Sequence, residues 1–168
     1  MKVDFVTLKN VIIFNKTAMS IAKNSKSNPL ICKIEYAFPD DILTMENVEL
    51  NQVDITMKGS KVFNELYGTP SSHTFSEPSD VSAAGLLFKQ KLSVYYPGIE
   101  VLSHSQLVLL ERTPAIYKIT YQHGLVQVIG SMDVPARLFF SLSASDSTGI
   151  NISIACDSDE RARFLVIE

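Results

Sequence analysis

Three histidines, two cysteines and one tight group of carboxylates are the residues whose types suggest chemistry in this sequence. His73 lies in a polar stretch, His104 in Ser103-His104-Ser105, and His123 in the turn signal Gln122-His123-Gly124. Zinc sites draw on His and Cys ligands at short recurrent spacings, and no two of these histidines share one, so no metal is expected. Ser103 and His104 set a hydroxyl beside an imidazole. Adjacent residues on an extended chain point to opposite faces, however, so the tripeptide reads as a polar connection between strands rather than a catalytic pair.

Asp157, Asp159 and Glu160 are close enough in sequence to hold a hard cation or to share acid and base roles. They lack the glycine turn and the distant glutamate of a calcium loop. With Arg161 and Arg163 following, they read as a charged hairpin tip with local ion pairing. Cys32 and Cys156 each sit in an alternating apolar run, the usual setting of a buried reduced thiol. No phosphate-binding loop, dinucleotide glycine fingerprint or Gly-x-Ser-x-Gly elbow occurs. The expectation is a protein that is not an enzyme and uses no cofactor.

Charge is distributed unevenly. The 168-residue chain has a formal net charge of −3, but residues 1–34 hold six Lys against one Asp, a net of +5. The remainder holds nine Lys or Arg against seventeen Asp or Glu, a net of −8. Lys2, Lys9, Lys16 and Lys23 recur every seven residues, which lines them along one helix face. Phe5, Leu8, Ile12, Asn15, Met19 and Ala22 follow beside them at three- and four-residue spacing, while Val11 to Phe14 is β-favouring and leaves a strand open as the alternative. Such a stripe is either a solvated face or a contact surface for an acidic partner. The acidic remainder makes a neighbouring copy of this chain the nearest candidate, and it argues against nucleic acid, whose phosphates it would repel. Lys9, Lys16, Lys23 and Phe14 are therefore candidate partner-binding residues, together with Phe75, the one large apolar side chain in the polar loop 68–79.

The elements that must position these groups follow from periodicity. Leu30 to Phe38 alternates at the two-residue period of a half-buried strand, as do Val48 to Met57 with a phase change at Asn51-Gln52. Ser60 predicts the N-cap of a short helix over Lys61 to Tyr67, and Val81, Ala84, Phe88, Leu92 and Tyr95 keep helical spacing up to Pro97-Gly98. From Ile99 onward the pattern turns to strands: 106–111, 115–121, 125–130, 137–144, 150–156 and 161–167. Short polar turns between them favour antiparallel neighbours. The predicted fold class is α+β, with two or three helices in the N-terminal part packed on a mainly antiparallel sheet or small sandwich formed largely by the C-terminal part. No repeat or linker divides residues 1–168, so a single globular domain is expected.

The longest early apolar run, Val11 to Phe14, is too short for a signal-peptide core or a membrane span. A cytoplasmic protein, or one incorporated into a virion or other assembly, is the expectation. Two functions fit. The first is a non-enzymatic structural or interaction protein, a subunit of a ring- or tube-like assembly of its own copies such as a virion or secretion-apparatus component. The second is a small enzyme or ligand-binding domain with a composite site, where His73, His104 or the 157–160 carboxylates converge near the 68–79 loop and strand ends.

Overall fold

The computed structural model describes residues 30–49, 51–82, 85–143 and 148–166. The predicted N-terminal helix, with Lys9, Phe14, Lys16 and Lys23, lies outside them. The described elements are β1 Ile31–Ala37, β2 Ile42–Glu49, β3 Gln52–Met57, β4 Asn64–Glu65, β5 Thr74–Ser76, β6 Ser79–Ser82, β7 Gly85–Pro97, α1 Val101–Arg112, β8 Ile116–Tyr121, β9 Val126–Ile129, β10 Arg137–Ser143, β11 Gly149–Ser158 and β12 Arg163–Leu165.

The strands form two sheets. One runs β2-β3-β12-β9-β8-β1-β4, and the other β10-β11-β7-β5 with β6 also paired to β7. Every pairing is antiparallel except that of β12 with β3. The main core lies between the sheets. Ile34, Tyr117, Ile119 and Ile129 from the larger sheet meet Leu92, Val94, Leu138, Ile150, Ile152 and Ile154 from the smaller, and α1 adds Leu107 and Leu110. A second cluster unites Ala37, Ile116 and Val128 with Ile42 and Val53 of the β2–β3 hairpin. Ile116 and Tyr117 are consecutive on a strand, so their side chains leave opposite faces, and the two clusters lie on opposite sides of β8. The larger sheet therefore curls until its β2–β3 end covers part of its own outer face, leaving β9 buried along its whole length.

The predicted α+β class is corrected by this arrangement: the chain is mainly β, with one helix of more than a single turn among the described residues. The expected helix over 81–95 is the β6–β7 hairpin. Its inward row is Phe88, Gln90, Leu92 and Val94, all buried, and its outward row is Lys89, Lys91, Ser93 and Tyr95. The period is two, and the polar Gln90 on the inward row disguises it. Lys61 to Tyr67 is extended, with Asn64 and Glu65 paired to Tyr36 and Glu35 of β1. Conversely, 106–111, expected as a strand, belongs to α1. Leu107 and Leu110 are buried and Leu109 between them is exposed, which is the spacing of one helix face rather than a strand. The remaining strands fall close to where alternation placed them, and the phase change near Asn51 is the β2–β3 turn.

Candidate functional site

The predicted chemical groups are held apart. His73 directs Nδ1 at the Ile31 carbonyl, 3.2 Å away, and its Nε2 faces Gly68, so burial pushes the imidazole below its ordinary pKa. His104 stands edge-on to Phe140 with ring centroids 5.4 Å apart. Ser103-His104-Ser105 is thus the first part of α1 and not a connection between strands; Ser105 donates back to the Val101 carbonyl. Glu160 pairs with Arg163 at 3.3 Å, as local pairing foresaw. Its segment is no hairpin tip, because β11 and β12 belong to different sheets and residues 159–162 cross between them. Among the described residues no group of three or more His, Cys, Asp or Glu is arranged to hold a metal.

The polar stretch 68–79 contains β5, which extends the smaller sheet with Phe75 opposite Leu92. Phe75 is half-buried against the main core. Both cysteines are free thiols. Cys156 is buried, which together with the nearby Asp157 carboxylate pushes its pKa up to about 11. Cys32 is exposed, contrary to its alternating setting, because the β1–β8 register shifts between Ile31 and Lys33 and turns that residue outward.

Two polar regions stand out. The first is a fastened corner around the 159–162 crossing. Glu77 accepts from the Ala162 N–H and, at 3.1 Å, from Arg161. Buried Gln90 donates to the Glu160 carbonyl at 3.1 Å and accepts from the Gly130 N–H at 3.3 Å. Buried Gln127 accepts from the Tyr121 hydroxyl at 2.8 Å and donates to the Ala162 carbonyl at 3.3 Å. Burial, and then the Glu77 charge, raises the Tyr121 pKa, so its phenol stays a donor.

The second is a cleft of about 200 Å³ where α1 closes one side of the sandwich. The helix supplies Ser103, Gln106, Leu107 and Leu110, whose three- and four-residue spacing puts them on one face. Tyr96 comes from the end of β7, where Gly98, at φ +85°, turns the chain toward α1. Tyr36 is on β1, and Glu65 to Tyr67 run along and beyond β4. The Tyr67 and Tyr96 rings are nearly perpendicular, at 88° and 6.0 Å between centroids. Tyr96 shares a 2.8 Å hydrogen bond with Ser103. Tyr36 abuts Tyr117 at 6.4 Å. The Tyr117 hydroxyl is fully buried with no partner among the described residues, and burial, then Tyr36, raises its pKa well above the usual phenol range. The floor of the cleft is apolar, from Leu66, Leu107, Leu110 and Ile152.

Within this cleft the hydrogen-bond partner of Ser103 is the Tyr96 phenol. A broader groove of about 510 Å³ crosses the outer face of the smaller sheet, lined by Lys91, Ser93, Tyr95, Phe139, Asn151 and Ser153, but it is more open. The tyrosines were not foreseen from the sequence; the only local signal was the helical spacing of Ser103, Leu107 and Leu110.

No family model matches the chain, and neither a curated protein nor a solved structure matches it. Among the described residues no helix is long and apolar enough to cross a membrane.

Proposed function

We propose that this chain is a non-enzymatic interaction protein that assembles head-to-tail with copies of itself, the Lys-rich N-terminal segment of one copy engaging the acidic β2–β3 hairpin of the next. The observation that carries the reading is the cross-strand pair Glu46 and Asp54, set directly opposite one another and both exposed. Like charges in that position destabilise a hairpin unless a cation lies over them. Neither has an ion-pair partner among the described residues, and Glu49 lies farther along the same strand.

β2 ends its sheet, and Leu43 and Val48 on it are both more than half exposed. Edge strands are usually protected by lysines, and this one carries glutamates and apolar side chains instead. Contacts between two different patches build rings or open filaments according to whether the rotation closes. A ring or tube of subunits, as in a virion or a secretion apparatus, is the assembly this reading favours.

Sedimentation velocity over a range of concentrations tests it. The chain should associate, more strongly at low salt, and Lys9→Glu, Lys16→Glu and Lys23→Glu together should weaken association at least about tenfold. Adding Glu46→Lys and Asp54→Lys to that triple variant should restore it. A strict monomer at high concentration, or a triple variant that assembles as before, would end the proposal.

A further inference from the structure

We infer that the tyrosine-lined cleft beside α1 is a binding site for an organic ammonium cation, either a small quaternary amine or the alkylammonium of a lysine side chain. This goes beyond the assembly reading and stands without it. Three phenol rings, Tyr36, Tyr67 and Tyr96, line one space of about 200 Å³. The Tyr67 and Tyr96 rings, perpendicular with centroids 6.0 Å apart, form one corner of the cleft, and an ammonium is received there at a ring face rather than at an edge.

Ring faces are electron-rich and attract cations, and a cluster of aromatic side chains is the usual receptor for a methylated ammonium. An ammonium also needs a counter-charge. Glu65 is the one charged residue lining the cleft, and it is a carboxylate. It is exposed and has no ion-pair partner among the described residues, so it stands at the mouth rather than buried in the fold. The apolar floor receives the methyl or methylene groups. The Gln106 side chain, which makes no hydrogen bond among the described residues, is left to accept from an N–H where the ligand has one. A carboxylate or phosphate ligand is disfavoured by the same set, since no Lys or Arg lines the space.

The test is titration of the full chain with choline, with N-acetyl-lysine methylamide, and with 3,3-dimethylbutanol as the neutral isostere of choline. The chain has six tyrosines and no tryptophan, so tyrosine fluorescence reports directly, and the ligand methyl protons should move upfield in NMR. At least one ammonium should saturate, with the isostere about tenfold weaker or worse. Tyr67→Ala should lose about tenfold or more and Glu65→Gln about threefold. Tighter binding of the lysine analogue identifies a peptide side chain as the ligand, and tighter binding of choline a free amine. Equal binding of choline and its isostere, or saturation by neither ammonium, would overturn the inference. Because Tyr67 is largely exposed, its replacement leaves the core intact; circular dichroism of each variant checks this.

Discussion

The corner at 159–162 and the tyrosine cleft are built from similar groups, amides, phenols and a glutamate, yet they treat them in opposite ways. In the corner each side chain is used: Glu77 takes two donors, Gln90 and Gln127 each give and accept, and Tyr121 finds Gln127. In the cleft Tyr96 has Ser103, while the side chains of Tyr36, Tyr67, Glu65 and Gln106 make no hydrogen bond among the described residues, and the hydroxyl of Tyr117, beside Tyr36, is buried without a partner. A satisfied polar network fixes geometry, and leaving it half-satisfied is costly. Side chains that a cleft holds open to solvent, as it does Glu65, Tyr67 and Gln106, are instead available to something else. The comparison separates polar residues that hold the sandwich together from polar residues that the sandwich only displays.

The largest effect should come from breaking the corner. Glu77→Ala strands the Ala162 N–H, while the largely exposed Arg161 guanidinium turns to water, and urea unfolding should show a loss of about 1–3 kcal/mol. A loss below about 0.5 kcal/mol would mean water replaces Glu77 freely and the corner holds nothing. Next is a change of opposite sign. Tyr117→Phe removes a buried hydroxyl with no partner, so stability should stay level or rise by up to about 1 kcal/mol. If it falls by more, the hydroxyl is satisfied in solution and the contrast with the corner fails at that residue. The smallest effects belong to the displayed groups. Tyr67→Phe and Gln106→Ala should each change stability by less than about 0.5 kcal/mol by the same measurement. A larger loss from either would move it into the class of the corner residues.

How legible these regions were in the sequence depends on period. β10 and β11 could be read because their inward residues alternate without interruption, and β1 and β8 because their apolar runs are bounded by turn residues, although a register shift breaks the alternation of β1 at Cys32. β7 could not, since Gln90, which belongs to the corner, occupies an inward position and leaves Phe88, Leu92 and Tyr95 at helical spacing. Helix α1 was hidden for the converse reason: Leu107-Val108-Leu109-Leu110 is a continuous apolar run, and only packing shows that Leu109 faces outward. The carboxylates and arginines of 157–163 were legible as ion-pair formers, but their role in a crossing between sheets was not, because a connection of that length also suits a hairpin. The cleft left almost no trace. Its tyrosines come from β1, from the segment after β4 and from the end of β7, and sequence carries no record of which strands share an end. The acidic pair at 46 and 54 was visible only as part of an overall acidic remainder; the register of β2 on β3 makes it a pair.

β12 has three residues, and among the described residues it is the strand that joins the β2–β3 hairpin to the rest of its sheet, through Phe164 opposite Gln52 and Arg163 opposite Val128. That placement sets an order of events. The hairpin can close by itself within microseconds, as hairpins do, but it cannot be docked by its strand edge until a segment made more than a hundred residues later arrives. On the ribosome this edge pairing can form only late, and closures across so long a sequence separation are the kind that slow folding. The last strand is the bolt of the sheet, and folding is complete only when it slides home.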